Sequence, residues 1–276
     1  MGASNLINKY SVYDYLIAFL LVLFVVNSTT QNLWPASLYQ IIITVGLAVS
    51  FDLGLSYLKS KLRKPKEGQV GMPVAMPFKL HLPKSPIISG LIIGLLIEPV
   101  ALAWPALAPV IMAPILAMLL KHIIRIKGDH IFNPANLGLL VTIVALSSSI
   151  SWWGASPSWL VALFGLFIAY RLKRPNPAIA FLALYFILNI GLEASGGAFT
   201  TDTIINQLNN GTVLFFGFIM IQEPVTAPRG KRGRLLFGIL AAIFVFALTF
   251  YYRQYSLLLG LVLADLFVFP INWKLK

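Results

Sequence analysis

Ten stretches of apolar residues, separated by short polar connections, run along the 276-residue chain. A membrane-spanning α-helix needs about 20 predominantly apolar residues, and this pattern predicts an all-α polytopic membrane protein. The predicted transmembrane segments are 14–30, 38–58, 85–98, 103–121, 134–148, 158–170, 175–192, 207–222, 235–251 and 256–271. They use almost every residue, so we expect one membrane domain over 1–276 and no separate soluble domain.

The positive charges give these segments an orientation. Of the 21 Lys and Arg residues, twenty fall in alternate connections and only Arg253 falls in the other set. Cationic loops remain in the cytoplasm, so the sequence predicts a protein integral to the cytoplasmic membrane with both termini cytoplasmic. A net charge of +12 could indicate nucleic acid binding in a soluble protein. Here the charges flank apolar spans, so we expect contact with membrane lipid and none with nucleic acid.

Two segments are too short to span a membrane. Segment 85–98 ends at Glu98-Pro99, where proline stops a helix at the preceding residue. Segment 134–148 begins at Asn133-Pro134, with Asn as the N-cap and Pro at the first helical position. Broken helices are tolerated in a membrane only where their free backbone groups line a protein cavity. The pattern therefore favours broken or half helices around an internal site.

The two halves of the chain repeat one motif. The third segment closes with Ile97-Glu98-Pro99 and the eighth closes with Gln222-Glu223-Pro224, and both are glycine-bearing apolar runs. They are five segments apart, so they run in opposite directions through the membrane. This predicts a five-plus-five inverted repeat, with the first repeat in 1–150 and the second in 151–276.

Four carboxylates fall within or at the ends of apolar runs. Glu98 and Glu223 close the short helices, and Asp52 and Asp265 are expected to face the bundle interior. Carboxylates near the membrane interior usually have a partner or a function. The glutamates either hold their own broken-helix backbone or bind a cofactor, proton or cation. For the two aspartates, a hydrogen bond to a neighbouring helix is the favoured interpretation.

The stretch from Gly128 to Asn136 predicts a polar turn followed by a re-entrant helix. The free N–H groups at such a helix start favour an anion or an electron-rich ring carbonyl. Asn133 and Asn136 offer donors and acceptors for the edge of a heterocycle, and Phe132 could stack on it. The alternative is simple capping of the re-entrant helix. The chain has no cysteine, which excludes cysteine-ligated iron–sulfur clusters, and we expect no metal site.

Two motifs resemble a known family. They are Gly128-Asp129-His130-Ile131-Phe132-Asn133-Pro134-Ala135 and Gln222-Glu223-Pro224-Val225-Thr226-Ala227-Pro228-Arg229, with Ser89-Gly90 before them. These residues resemble the family of membrane subunits called B in the sodium-pumping NADH:quinone reductase and D in the Rnf-type electron-transport complex. The resemblance implies ten membrane segments in an inverted repeat and bound flavin, either FMN or riboflavin.

Members of that family carry FMN on the threonine of an S-G-A-T motif. The corresponding loop here, Ser147 to Ser158, reads Trp153-Gly154-Ala155-Ser156-Pro157, and a second partial echo runs from Ser195 to Thr200. Ser156 is the candidate for covalent attachment. Since neither echo is a clean motif, the resemblance favours a noncovalent flavin.

The sequence as a whole favours a membrane-embedded electron-transfer subunit, which could be ion-coupled, rather than a complete enzyme. By resemblance, Asn133 and Asn136 would hold the polar edge of the flavin, and Glu223, Thr226 and Arg229 would shape the cytoplasmic mouth. Glu98 would be the inward carboxylate of the other half. A partner reductase would dock on the basic loops 59–66 and 229–234. A solute channel or transporter on the same plan, and a membrane anchor for a soluble reductase, are the alternatives.

Overall fold

A computed structural model describes residues 11–62, 83–197 and 200–275. The chain is an all-α membrane protein, in agreement with the sequence. The helices are α1 Val12–Thr30, α2 Ala36–Leu62, α3 Lys84–Leu96, α4 Leu107–Ile123, α5 Pro134–Ala145, α6 Ser158–Arg171, α7 Asn176–Ser195, α8 Thr201–Leu208, α9 Gly211–Phe215, α10 Lys231–Thr249, α11 Ser256–Leu266 and α12 Val268–Lys274. A two-stranded hairpin, β1 Arg125–Ile126 and β2 Asp129–His130, precedes α5. The predicted basic-loop residues Lys9, Arg63, Lys64, Lys66, Lys79, His81 and Lys276 lie outside the described residues.

Helix length divides the segments into two classes. Within the described residues, five stretches are long and apolar enough to cross a membrane: Val12–Thr30, Ala36–Leu62, Asn176–Ser195, Lys231–Thr249 and Ser256–Lys274. Five shorter apolar helices lie beside them, and these include the predicted short segments α3 and α5. The eighth segment is also short, because α9 continues as a π-helical turn over Phe216–Met220 and then stops. Protein of this composition belongs in a membrane.

The eighth segment starts later than the sequence predicted. Residues 201–208 form the separate helix α8, which has no buried residue. The side chain of Asn210 then accepts a hydrogen bond from the Val213 amide at 3.2 Å and caps a new helix. An Asn that caps a following helix ends the pattern of the preceding one, so the apolar run at 207–222 contains two helices.

Helix ends meet at two opposite faces. At one face, which we call the basic face, Lys84 pairs with Asp14 and Lys121 pairs with Asp52. At the other face, Gln31 Nε2 donates to the Trp153 carbonyl at 3.0 Å, and Gln254 donates to Ser148. Successive apolar helices run from one face to the other.

Each half packs around its short helix. In the first half α3 contacts α1 and α2, α2 contacts α4, and α4 contacts α5. The backbones approach closely there, since a Cβ added at Gly90 would lie 2.6 Å from the Cα of Val45. The predicted Gly90–Gly94 face is thus a packing face. The core of buried Leu, Ile, Phe and Ala side chains runs through both halves.

Candidate functional site

The hairpin and the start of α5 form the centre of the site. As predicted, Asn133 is the N-cap of α5, with Pro134 at its first position. The Asn133 Oδ1 atom accepts from the Asn136 amide at 3.1 Å, which is the usual N-cap bond. The turn of the hairpin needs a left-handed backbone, and Lys127 and Gly128 adopt φ of 53° and 95° there.

Asn133 joins three elements through its remaining polar groups. Its amide Nδ2 donates to the Met220 carbonyl at 3.2 Å, at the end of the π-helical turn. Its backbone N–H donates to Asp265 Oδ2 on α11 at 3.2 Å. Asn136 in turn donates from Nδ2 to the Leu258 carbonyl at 2.9 Å. Both asparagines therefore hold α5 against the eighth and tenth segments.

Several buried oxygens around Asn133 have no partner among the described residues. Asp265 and Asn136 are fully buried, and the Oδ1 atom of each accepts no hydrogen bond. Unpaired buried polar atoms are rare in native proteins, because each costs about 1–3 kcal/mol. The prediction that Asp265 faces the bundle interior is confirmed, and its neighbour is the start of α5.

The second Glu-Pro end lies beside this group. Glu223 Oε1 is 3.1 Å from His130 Nε2, while Glu223 Oε2 has no partner among the described residues. Gln222 is 4% exposed, and neither of its amide atoms is hydrogen-bonded within the described chain. The π-helical turn that precedes them is a rare conformation often found at functional sites.

A small cavity of about 60 Å³ opens onto these groups from the basic face. Its polar lining consists of Tyr13, Ser85, Ser89, Asn133, Gln222 and Glu223. Side chains of both halves contribute to it, with α1 and α3 on one side and α6 and the eighth segment on the other. The volume suits a few water molecules or one small polar guest.

A second cavity of about 730 Å³ lies between the hairpin, the loop after Glu223 and α12. Thr226, which is 3% exposed, and Arg229 line it together with His130. The outer rim is aromatic and cationic, since Lys127 Nζ lies 5.3 Å above the Phe269 ring, and Trp273 is 73% exposed. Arg229 is 3.8 Å from Asp129 across the rim. Pockets of about 300–1,000 Å³ are the usual size for cofactors.

The structure brings together most of the predicted site residues. Asn133, Asn136 and Glu223 form the buried group, and Thr226 and Arg229 line the large cavity. Phe132 is half-buried and lines neither cavity. His130, Gln222 and Trp273 were not predicted, although His130 and Gln222 lie inside the quoted motifs, and only the fold shows that they face these cavities.

Glu98 requires a correction. We expected an inward carboxylate, but its side chain is exposed and makes no hydrogen bond or ion pair within the described chain. The helix ends at Leu96, and Ile97 is extended with ψ of 135°. The carbonyls of this helix end are already bonded by Gln40 and Trp153, so nothing holds the carboxylate inside.

Ser156 and Asp52 have partners of their own. The Ser156 hydroxyl donates to Asn27 Oδ1 at 2.6 Å, on the face opposite the two cavities. Asp52 Oδ1 accepts from Lys121 Nζ at 2.9 Å and lies 3.0 Å from His122 Nε2. The predicted bond from Asp52 to a neighbouring helix is confirmed, since α2 and α4 are joined there.

Comparison with known proteins supports the resemblance. The chain is 31% identical over 101 residues to the component named D of the ion-translocating oxidoreductase complex of Haemophilus influenzae, and to that of Actinobacillus pleuropneumoniae. The alignment covers 36% of this chain and 27% and 28% of those relatives, so it spans little more than a quarter of their length. No family model matches the chain. The resemblance inferred from the motifs is confirmed at this level.

Proposed function

We propose that the chain is an electron-transfer subunit of a membrane oxidoreductase, and that it binds a flavin noncovalently at its basic face. The observation that carries the proposal is the cavity of about 730 Å³ beside the Asn133 group. Similarity to subunits of an ion-translocating oxidoreductase complex supports the reaction class. Since the alignment covers about a quarter of those relatives, the activity and the partners are inferences.

The architecture we infer is ten segments in two inverted repeats of five. The contacts support this, because corresponding helices touch in the two halves. In the first half the third segment contacts the first and second, the second contacts the fourth, and the fourth contacts the fifth. In the second half the eighth segment contacts the sixth and seventh, the seventh contacts the ninth, and the ninth contacts the tenth. The basic face is then the cytoplasmic one.

The residues of the large cavity fit a flavin. An isoalloxazine ring needs apolar and aromatic walls with a few polar groups that fix its edge, and Val268, Phe269 and Trp273 supply such walls. The buried Thr226 hydroxyl makes no hydrogen bond to another described residue, so it is free to bond the ring edge. Lys127 and Arg229 at the rim match the phosphate of FMN.

The bound flavin would supply the capacity to take up and release electrons singly or in pairs. The chain's own residues would position it and control protons. His130 and Glu223 form a hydrogen-bonded pair at the inner wall, where a proton could be held close to the ring. Asn133 and Asn136 act one step away, because their amides are used to fix the cavity wall rather than to face it.

A covalent flavin at Ser156 is not part of this proposal. The Ser156 hydroxyl is held by Asn27, and Asn27 Nδ2 also donates to the Ser156 carbonyl. This reciprocal pair closes the loop at the opposite face. Attachment there would break both bonds, whereas the basic-face cavity needs no rearrangement.

Electrons have to come from a partner, which we infer to be a reductase with an acidic surface. The rim residues Lys127, Arg229 and Trp273 form an exposed basic and aromatic patch around the cavity mouth. By analogy with the name of the relatives, ion coupling is assigned to the carboxylates Glu223 and Asp265 beside Asn133.

The visible spectrum of the purified protein tests the proposal. We expect flavin absorbance that dithionite bleaches, and loss of the flavin on denaturation. Thr226→Val and Trp273→Ala should lower flavin occupancy severalfold, and Glu98→Gln, far from the cavity, should leave it unchanged. A colourless protein, or one that conducts a small solute across liposomes without any flavin, would instead favour the channel alternative. Fluorescence that survives a denaturing gel and disappears in Ser156→Ala would move the flavin to the opposite face.

A further inference from the structure

Two long helices begin side by side at the basic face. α7 starts at Asn176 and α10 starts at Lys231, and they are extensively packed together. A Cβ added at Gly238 would lie 2.3 Å from the Pro177 carbonyl oxygen, so the backbones touch one to two turns from both starts. The first turns of the two helices therefore present their free N–H groups to a common surface.

This surface is strongly cationic. Five cations lie in the first turns or directly before them: Lys173, Arg174, Lys231, Arg232 and Arg234. None of them forms an ion pair with a carboxylate of the described residues, and the first turns of both helices contain no acidic residue. A helix N-terminus carries partial positive charge and favours anions, so these cations stand where their charge is least favourable.

The matching helix pair of the first half is arranged differently. α2 and α4 end at the basic face, where cations are favoured by the helix C-termini. Their buried cation, Lys121, has Asp52 at 2.9 Å. The chain thus supplies a carboxylate for one pair and none for the other. An anion from outside the chain would balance the second group.

The arginines of this group have unused donors. Arg174 and Arg234 are half-buried between the helix starts. Arg234 Nη1 donates to the Arg229 carbonyl at 2.5 Å, whereas its buried Nε has no acceptor among the described residues. Guanidinium groups with free donors favour phosphate, which they bind through charge-assisted hydrogen bonds.

Apolar surface continues from this group along both helices. On α7, Ile179 and Ile187 are 52% and 65% exposed, and on α10, Leu236, Ile239 and Ile243 are also exposed. These residues recur at helical spacing, so each helix turns one apolar stripe outward. A cationic end that leads into an outward apolar stripe matches a phospholipid, whose headgroup is anionic and whose chains are apolar.

We propose that the starts of α7 and α10 bind the headgroup of an anionic phospholipid, with its acyl chains along the two exposed stripes. The proposal is independent of the flavin. The apolar stripe favours lipid over an acidic protein, because a soluble partner would not cover it.

Native mass spectrometry of the full chain in detergent micelles tests this proposal. Phosphatidylglycerol or phosphatidylcholine is titrated, and the apparent Kd of the first bound lipid is measured. We expect a preference for phosphatidylglycerol that weakens about tenfold in Lys231→Gln/Arg232→Gln. The matched control, Lys59→Gln/Lys61→Gln, removes two exposed cations from the same face and should keep the preference. Arg174→Gln/Arg234→Gln should have the largest effect.

Two further measurements make the test independent of variant folding. In the unaltered protein, added NaCl should reduce the preference, because the interaction is electrostatic, and millimolar inorganic phosphate should not displace the lipid. Equal losses in the test and control variants would overturn the proposal. So would a salt-independent preference, or displacement by phosphate alone, which would indicate an anion site or protein docking surface without lipid specificity.

Discussion

The two Glu-Pro helix ends share a sequence pattern but differ in what covers them. At the end of α3, the Gly94 carbonyl accepts from Gln40 Nε2 at 2.8 Å and from Trp153 Nε1 at 2.9 Å. The Leu95 and Leu96 carbonyls accept from backbone amides of the loop 151–154 at 2.9–3.1 Å. This end is closed by the protein itself.

The end of the eighth segment is only partly covered. Asn133 bonds the Met220 carbonyl, but both amide atoms of Gln222 and one oxygen of Glu223 remain without partners in the described chain. These groups face the small cavity and adjoin the large one. The comparison teaches that a broken helix is a structural joint where its carbonyls are capped, and a candidate binding site where its polar groups remain free.

The largest expected effect comes from opening the closed end. Trp153→Ala removes a 6% exposed side chain and its bond to Gly94. We expect a loss of about 3–5 kcal/mol in the free energy of unfolding, as for other buried Trp residues, seen as a lower melting temperature in detergent. Trp159→Ala is the control, since that side chain is 65% exposed. Equal melting temperatures for both variants would show that the loop does not close this end.

A smaller effect should separate the two buried glutamines. Gln40→Leu removes the donor to Gly94 and Ile97 and leaves the Ile97 carbonyl unpaired, which should cost about 1–3 kcal/mol. Gln222→Leu removes no hydrogen bond to the described chain and should be neutral or stabilising. Thermal unfolding of both variants in one detergent provides the measurement. A destabilised Gln222→Leu would mean that Gln222 has a structural partner and that the second end is also closed.

The smallest effect distinguishes the two glutamates. Glu223→Gln weakens the contact with His130 and should cost about 1 kcal/mol, whereas Glu98→Gln should change stability by less than about 0.5 kcal/mol. A double-mutant cycle with His130→Gln should give a coupling energy for Glu223 and none for Glu98. Coupling between His130 and Glu98 would contradict the separation of the two ends.

The apolar segments, the short helices and their stops could be predicted from the sequence, because spans, caps and prolines are local features of the chain. Asn133-Pro134 is the clearest case, since its N-cap geometry depends on neighbouring residues alone. The inward positions of Asp52 and Asp265 also followed from their place in apolar runs.

Which Glu-Pro end is closed depends instead on contacts between distant segments. Gln40 and Trp153 lie 54 and 59 residues from Gly94 in the chain, and no local pattern relates them to it. The same holds for His130 and Glu223, which are separated by 93 residues. A polar group in a membrane protein is satisfied by whichever distant segment the fold places beside it, so equal motifs acquire different roles.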